Sequence, residues 1–352
     1  MTTPERAREA LDAHVRDVIA QHFDPAHGTP FWLRWAATAG WDPRAEVFSF
    51  ADLKRFPTFD KAWLRDAPHE DWTPSNLRGV PFKVFETGGT TGVPTQRLSW
   101  QDHLIDYATF SPSLHDDAFP KGAAWLIAGP TGPRRLRLSM EHLANLRGGV
   151  AYHLDLDPRW VRRLLADGDA ATAKKYQDHV VTQAVTLLKH RQIRCLFTTP
   201  RLLEAIGEAI DLRAAGLTGV LCGGTSMSPQ TVRFLVEEVL GGVVPFVPVY
   251  GNTLMGLADS DPVTETNFEV IYRAPQPRAV LRVVDEKGDD VPYDTRGQVE
   301  LTTLTDELFM PRLLERDEAF RRRPTLRRPW DGVGDVRPLG TGAGKTTIEG
   351  VY

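Results

Sequence analysis

The stretch "IRCLFTTPRLLEAIGEAIDLRAAGLTGVLCGG", residues 193–224, decides the fold class. An apolar run, "IRCLFTT", is followed by a segment with helical spacing, "PRLLEAIGEAI", and then by a second apolar run, "TGVLCGG". Two short buried strands with a helix between them form a parallel βαβ unit. The stretch therefore predicts an α/β protein with a parallel sheet.

The same alternation extends to both sides of this stretch. The runs "AAWLIAG", "GVAYHL" and "VPFVPVYG" predict further buried strands, and "DHVVTQAVTLLKHRQ" and "SPQTVRFLVEEVL" predict helices. After about Phe268 the segments "FEVIYRA" and "RAVLRVVDEKGDDVPYDTRGQVELTTL" are typical of antiparallel strands joined by turns. We predict a helical N-terminal region over 1–80, an α/β body over 81–267 and a smaller antiparallel β subdomain over 268–352.

Composition narrows the class of function. The chain has 352 residues, and its net charge of −4 offers no basic field for nucleic acid or an acidic membrane. The basic segment "RRRPTLRRPW" is predicted to be a solvated loop. Cys195 and Cys222, the only cysteines, give no disulfide framework or metal-ligand spacing. There is no signal-peptide core or long apolar run. We therefore expect a cytoplasmic protein without nucleic-acid or membrane partners.

A glycine- and threonine-rich loop lies in "FETGGTTGVPTQRLSW", residues 85–100. Its backbone N–H groups and hydroxyls are of the kind that wrap phosphate oxygens. The alternative is a tight turn between two strands. The candidate phosphate-binding residues are Thr87, Gly88, Gly89, Thr90, Thr91 and Gly92.

Three later segments favour the phosphate interpretation. In "LCGGTSMSP", Gly223 and Gly224 end an apolar strand where a flat ring can approach the backbone. In "VYGNTLMG", Tyr250 is able to stack on a base and Thr253 to donate to a phosphate. In "DGVGDVRPL", Asp335 is able to accept both hydroxyls of a ribose. Each residue alone has a structural alternative, as a turn or core residue.

In this order the four segments resemble the superfamily of adenylate-forming enzymes, which includes acyl-CoA synthetases, aryl-acid ligases and nonribosomal adenylation domains. "TGGTTGVP" is similar to its phosphate loop, "CGGTS" to its adenine-side strand end, "VYGNT" to its Tyr-Gly-x-Thr motif and "GVGD" to its ribose-binding aspartate motif. "FSFADLKRFPTFDKAWLRD" resembles the phenylacetate-CoA ligase branch, and the short chain is similar to compact adenylating proteins of phenazine antibiotic pathways. The resemblance extends from about Phe48 to the C-terminus.

The resemblance implies that a carboxylate attacks the α-phosphorus of ATP, with Mg²⁺ as cofactor, to give an acyl-adenylate and pyrophosphate. Such a site mainly positions its reactants and neutralises charge, because a carboxylate is already a nucleophile at neutral pH. The resemblance implies that the Gly/Thr loop holds the β- and γ-phosphates and that Thr253 holds the α-phosphate. It implies that Gly224 and Tyr250 contact the adenine and that Asp335 binds the ribose. Further nucleotide contacts are implied for Gly223, Thr225, Gly251 and Asn252.

The acid pocket is expected between "AAWLIAGPTG", "GGVAYHLDL" and the strand ends near Gly223 and Gly251. Its candidate residues are Tyr152, His153 and Gly251, and a hydrogen-bonded structural role is the alternative for His153. Trp125 and Tyr152 suggest a planar acid, although core packing explains them equally well.

Departures from the family pattern bear on the metal and on the catalytic cation. Leu254 stands where the family has a Mg²⁺-binding glutamate. Leucine does not bind a hard cation, so either Asp259 or Glu300 reaches the metal, or phosphates and water hold it, or ATP turnover is impaired. Thr95 stands where many members have lysine. Because the sequence ends at Tyr352, we expect the mobile C-terminal domain to be missing, and Lys345 is the candidate stand-in cation.

The tail segment "TGAGKTT" resembles a nucleotide-binding P-loop only superficially. Leu339 occupies the position of the required first glycine, and no room remains for the helix that follows such a loop. A kinase or ATPase of the P-loop type is therefore not expected.

Three functional classes stay open. The first is an enzyme that adenylates an aromatic or heteroaromatic carboxylic acid and passes the acyl group to a partner reductase, acyltransferase or carrier. The second is a nucleotide- or carboxylate-binding protein with impaired catalysis. The third is acyl transfer as in acyl-protein synthetases, which the position of Cys222 in a predicted strand disfavours. A homodimer is left open.

Overall fold

The computed structural model describes residues 3–87, 93–131 and 134–340. The α-helices are α1 (Pro4–His22), α2 (Pro30–Ala39), α3 (Pro43–Glu46), α4 (Lys61–Asp66), α5 (Asp102–Phe110), α6 (Arg134–Leu146), α7 (Pro158–Ala166), α8 (Ala170–His190), α9 (Pro200–Ala209) and α10 (Pro229–Phe234). The strands are β1 (Lys83–Glu86), β2 (Gln96–Ser99), β3 (Ala124–Ala128), β4 (Val150–His153), β5 (Ile193–Thr198), β6 (Gly219–Gly223), β7 (Phe246–Asn252), β8 (Gly256–Ser260), β9 (Ile271–Arg273), β10 (Ala279–Val284), β11 (Arg296–Leu304), β12 (Phe309–Arg322) and β13 (Gly332–Pro338). None of these helices has the length and apolar character that crossing a bilayer needs.

The described residues form two compact units. Unit 1 is drawn from Met1–Asp102, Asn252–Gly256 and Arg273–Leu339, and unit 2 from His103–Gly251 and Leu257–Tyr272. The units therefore divide the chain differently from the sequence regions 1–80, 81–267 and 268–352. Whether those regions are independent domains stays a prediction.

Unit 2 contains the predicted parallel sheet. Its strand order is β9-β8-β7-β6-β5-β3-β4, and the pairs β4–β3, β3–β5, β5–β6 and β6–β7 are parallel. The strand and helix predicted at residues 193–209 are β5 and α9, and β6 follows at Gly219–Gly223. The α/β fold class is thus confirmed.

The core of unit 2 explains the apolar runs. Helix α6 packs on β3 and β4 and contributes Met140 and Leu143 to a cluster that includes Phe197 and Leu221 of the sheet. Trp125 is fully buried in this cluster and stacks on Phe119 with ring centroids 5.6 Å apart. Core packing therefore explains the ring of Trp125, whereas its indole Nε1 is buried without a hydrogen-bond partner among the described residues.

Unit 1 contains the smaller antiparallel sheet. Strands β10, β11, β12 and β13 pair in this order, and β1 pairs with β2 in a separate hairpin. Strand β12 includes Arg321 and Arg322, which are ion-paired with Asp331 and Asp294. The prediction that "RRRPTLRRPW" is entirely a solvated loop is therefore wrong at its first two arginines.

The N-terminal helices belong to the same unit as this sheet. Helix α1 packs on β11 and β12. The fully buried Trp32 of α2 donates from its indole Nε1 to the carbonyl oxygen of Phe309 at 3.0 Å, and the two rings lie 5.0 Å apart. The helical N-terminal region thus supplies part of the core of unit 1.

His22 makes the stability of unit 1 dependent on pH. Its Nε2 donates to the carbonyl oxygen of Thr305 at 2.8 Å and its Nδ1 accepts from the Thr29 hydroxyl at 2.7 Å. Burial lowers the pKa of His22 from 6.5 to about 4, although the Thr305 carbonyl opposes the shift. Between these values the unfolded chain binds the extra proton, so stability falls as the pH drops from about 6.5 to 4.

We expect this group to reduce the free energy of unfolding by about 2 kcal/mol between pH 7 and pH 5, measured by urea denaturation. The His22→Gln variant retains a donor and an acceptor but does not titrate. Its loss of unfolding free energy between pH 7 and pH 5 should therefore be smaller by about 2 kcal/mol than that of the parent protein. An equal loss in the variant would assign the effect to other groups.

Candidate functional site

Several candidate residues lie at the carboxyl edge of the unit 2 sheet. Strand β4 ends at His153, β5 at Thr198 and β6 at Gly223. Because these strands are parallel, their carboxyl ends meet at one edge, where ligands bind in open α/β sheets. The structure thus brings together the adenine-side candidates near Gly223 and the acid-pocket candidates near His153 at the same edge.

The two positions at the end of β6 require glycine for different structural reasons. A Cβ atom on Gly223 would lie 2.6 Å from the backbone oxygen of Val249 in β7, which is closer than atoms approach. Gly224 has φ +101, a conformation that side chains disfavour. The backbone here is thus shaped for close packing and for a sharp turn into Thr225.

Tyr250 and Gly251 lie at the end of β7 in unit 2. The Tyr250 ring is half-buried and lies 5.3 Å from the ring of Tyr272, tilted by 31°. Gly251 is exposed. Tyr250 is therefore supported by a buried aromatic neighbour at the edge where a base would stack.

Tyr152 and His153 point to opposite faces of the sheet, because neighbouring residues of a strand alternate. Both are half-buried. The Arg191 guanidinium lies 5.9 Å from the Tyr152 ring centre. The two residues therefore do not line one wall of a single pocket.

The His153 ring lacks partners within the described part of the chain. Both of its nitrogens are buried without a hydrogen bond. Burial, followed by the nearby Arg137, lowers the pKa of His153 below its usual range. A neutral imidazole with a free donor and a free acceptor suits a polar group of a ligand. The hydrogen-bonded structural alternative receives no support from the described residues.

In unit 1 the base of the Gly/Thr loop meets Thr253. Strands β1 and β2 form the hairpin that carries the loop, closed by the Thr87 N–H to the Thr95 oxygen at 2.9 Å and the Thr95 N–H to the Thr87 hydroxyl at 3.0 Å. The Thr253 hydroxyl donates to the carbonyl oxygen of Glu86 at 3.2 Å. Two of the predicted phosphate-binding segments are therefore in direct contact.

Asn252 shapes the turn that presents Thr253. Its side-chain oxygen accepts from the N–H groups of Leu254 at 2.9 Å and Met255 at 2.7 Å. Its amide nitrogen donates to Glu315 at 2.9 Å, and Lys61 donates to the same carboxylate at 2.8 Å. These contacts make the Asn252 side chain a structural part of the turn.

Arg97 was not predicted from the sequence. It is 1% exposed, pairs with Asp102 at 2.6 Å and donates to the carbonyl oxygen of Leu254. Burial raises the pKa of Asp102, but Arg97 and Arg278 outweigh burial and lower it to about 2. Arg97 follows the Gly/Thr loop in β2, so it ties that hairpin to the turn containing Thr253. A lone arginine in an apolar strand, "QRLSW", was the only sequence signal.

Asp335 lies on β13 in the left-handed region, with φ +46. One carboxylate oxygen, Oδ2, accepts from Arg296, whose other nitrogen donates to the Asp335 backbone oxygen at 3.2 Å. Within the described residues, Oδ1 has no partner. The side chain is thus fixed at one oxygen and open to a donor at the other.

The predicted metal ligand Glu300 is poorly suited to Mg²⁺. It is buried beside a cavity of about 540 Å³ in unit 1, and its carboxylate pairs with Arg282 at 2.7 Å and Arg312 at 3.4 Å. The Leu254 side chain is buried as well. Across the described ranges, no group of three His, Cys, Asp or Glu side chains is placed to hold a metal ion. Among the described residues there is therefore no ready-made cluster of carboxylates for Mg²⁺.

Some predicted residues lie outside the described ranges, namely Gly88, Gly89, Thr90, Thr91, Gly92 and Lys345. Their roles stay predictions.

Comparison with solved structures shows which known proteins share this fold. Solved structures with the same arrangement include 2-hydroxyisobutyryl-CoA ligase in an open conformation with 2-HIB-AMP and CoA, at a TM-score of 0.68 and 17% identity over 95% of this chain and 74% of the ligase. This is the fold of the N-terminal domain of adenylate-forming enzymes. The same ligase in its thioesterification state gives a TM-score of 0.66 and 18% identity, covering 94% of this chain and 67% of the ligase.

A third similar structure is apo MbtA from Mycobacterium smegmatis, with a TM-score of 0.52 and 17% identity over 72% of this chain and 45% of MbtA. A scan against protein-family models finds no match. A search of curated proteins finds none either. At sequence identities this low, the structural match establishes the fold alone. The activity depends on the chemistry of the site.

Proposed function

We propose that the protein is an adenylate-forming ligase that activates a carboxylic acid with ATP. A carboxylate oxygen attacks the α-phosphorus, the bond from the α-phosphorus to the bridging oxygen breaks, and pyrophosphate leaves. The products are an acyl-adenylate and pyrophosphate. No base is needed, because the acid is ionised at neutral pH.

The contact between Thr253 and the base of the Gly/Thr hairpin carries this proposal. The Thr253 hydroxyl is 3.2 Å from the Glu86 oxygen, one residue before Thr87. Two segments that we predict to bind phosphate, separated by more than 150 residues in sequence, thus meet at one place. In the nucleotide complex the hydroxyl would rotate to donate to the α-phosphate, and the loop would hold the β- and γ-phosphates.

The finer features of the proposal follow from the family resemblance. We propose an aromatic or heteroaromatic acid, a place in the phenylacetate-CoA ligase-like branch and a role similar to that of adenylating proteins of phenazine pathways. The acyl group would pass to CoA or to a partner reductase, acyltransferase or carrier. Mg²⁺ would be held by the phosphates and water, because the described residues offer no carboxylate cluster. A cytoplasmic location and a homodimer complete the proposal.

The first test is pyrophosphate release from MgATP across aryl, heteroaryl and fatty acids, with and without CoA or hydroxylamine as acceptor. Acid-dependent release is expected. ATP binding without such release would favour the second candidate, a binding protein with impaired catalysis, for which the buried Leu254 at the metal position is the motivating observation.

Acyl transfer to a cysteine receives no support from the thiols of this chain. Cys195 and Cys222 are both buried, and burial raises the pKa of Cys195 to about 12 and that of Cys222 further. Neither thiol is therefore suited to act as a nucleophile.

Asp335→Asn is expected to weaken ATP binding about tenfold, because the ribose hydroxyls would lose a charged acceptor worth about 1.5 kcal/mol. Asparagine tolerates the left-handed backbone at this position and keeps an oxygen for Arg296, which also pairs with Glu318 at 3.6 Å, so the melting temperature should change little. Calorimetric titration with ATP measures the affinity. Asp331→Asn is the control, because Asp331 contacts Arg321 and Tyr293 in the same unit. Equal ATP affinity in Asp335→Asn and the parent protein would contradict the ribose assignment.

A further inference from the structure

Helix α9 begins beside two threonine hydroxyls that have no hydrogen-bond partner among the described residues. Its N-cap residue is Thr199, whose side chain does not cap the helix. Thr198 and Thr199 are both fully buried, and neither hydroxyl has a hydrogen bond within the described part of the chain. A buried polar group without a partner costs about 1–3 kcal/mol, so this arrangement requires an explanation.

The backbone at the start of α9 adds further donors. The Leu203 N–H closes the first turn by donating to the Thr199 oxygen at 2.9 Å. Pro200 has no N–H, and the N–H groups of Arg201 and Leu202 have no acceptor among the described residues. These groups form the positive end of the helix dipole, which favours an anion.

This end of α9 adjoins the strand end assigned to the nucleotide. A Cβ atom on Gly224 would lie 3.4 Å from the Cγ2 methyl of Thr199. Both belong to the carboxyl edge of the unit 2 sheet, where β5 and β6 are parallel neighbours. Thr199 is therefore next to the strand end that we propose for the adenine.

We propose that the start of α9 and the hydroxyl of Thr199 form a subsite for a carboxylate of the acid substrate, which rests on the proposed function. Thr198 and Thr199 are consecutive extended residues, so the Thr198 side chain points to the opposite face of the sheet. The two N–H groups and the Thr199 O–H are donors, and an ionised carboxylate is an acceptor-only partner with two oxygens. Because Thr199 is covered, the carboxylate has to displace the groups above it as it enters. It is either the only carboxylate of the acid or a second one at its far end.

Thermal unfolding of the full chain without ATP tests this subsite. The probes are formate, benzoate and terephthalate against chloride at equal ionic strength, and the variants are Thr198→Val and Thr199→Val. Without ligand, their melting temperatures should be unchanged or higher, because each loses only an unpartnered hydroxyl. The rise that a carboxylate produces in the parent protein should fall by at least half in Thr199→Val and persist in Thr198→Val.

Thr218→Val is the matched control, because the Thr218 hydroxyl has a partner, the carbonyl oxygen of Arg194 at 3.1 Å. It should lower the melting temperature without ligand and keep the carboxylate-induced rise. A larger rise with terephthalate than with benzoate would assign the subsite to a second carboxylate, and equal rises would assign it to the only one.

Three results would overturn the proposal. These are a lower melting temperature of the ligand-free Thr199→Val variant, an undiminished carboxylate-induced rise in it, and no rise with any probe in the parent protein. The proposed function is tested separately by acid-dependent pyrophosphate release, which needs ATP. Either can therefore fail without the other.

Discussion

Replacing Arg97 by methionine is expected to lower the free energy of unfolding by about 3 kcal/mol and to weaken ATP binding. Arg97 and Asp102 are buried at 1% exposure each, and the pair is 2.6 Å apart. After the substitution, the Asp102 carboxylate keeps only its contacts with Arg278 and Thr305. The substitution also removes the hydrogen bond that Arg97 donates to the carbonyl oxygen of Leu254. The stability loss comes from the buried charge, and the ATP effect from a looser turn at Thr253.

Arg135→Met separates these two effects. Arg135 pairs with Asp106 in unit 2, and its side chain is also almost fully buried, at 5% exposure. Denaturant unfolding should show comparable losses for both variants, whereas calorimetry should show weaker ATP binding only for Arg97→Met. Weaker binding in both would point to general destabilisation. Arg97→Lys, which keeps one donor, should recover part of the affinity.

Gly223→Ala is expected to cost about 3 kcal/mol, at the upper end for overpacking in a tight interior. The new methyl group would lie 2.6 Å from the Val249 backbone oxygen and 3.0 Å from its Cγ2 atom. A backbone atom in the β6–β7 pair cannot turn away as a side chain does. The two strands therefore have to separate at the edge proposed for the nucleotide, which should also weaken ATP binding.

Gly168→Ala is the control for the general effect of replacing a glycine. Gly168 has φ +77 and nothing within 4 Å of an added Cβ atom, so only backbone strain of about 1 kcal/mol is expected. Denaturant midpoints of the two variants measure the difference. Equal losses would mean that the strands at Gly223 adapt to the methyl group without cost.

Local patterns were sufficient to predict the elements of unit 2. Its strands are fully apolar runs, as in β6, and its helices carry apolar residues on one face, as in α9. Strand β12 escaped prediction because half of its residues are charged, and its burial alternates only over residues 311–316. Such a pattern identifies a strand only when the strand with which it pairs is known.

Contacts between distant segments were the part of the site that the sequence did not reveal. The motifs containing Thr87 and Thr253 were predicted separately, and their meeting through Glu86 depends on the fold of unit 1. The one local signal at Arg97, a lone arginine in an apolar strand, does not indicate its role, because that role comes from a carbonyl 157 positions away. The unpartnered hydroxyls of Thr198 and Thr199 likewise appear only when burial is known.

The composition of unit 1 has a consequence for synthesis on the ribosome. Trp32 is covered by Phe309, which is 277 positions later in the chain, so at about 5–20 residues per second its partner emerges on the order of ten seconds or more after it. The segment His103–Gly251 of unit 2 is continuous and free to fold in that interval. Until the last strands emerge, the aromatic faces of the first helices are open to chaperones and to other nascent chains.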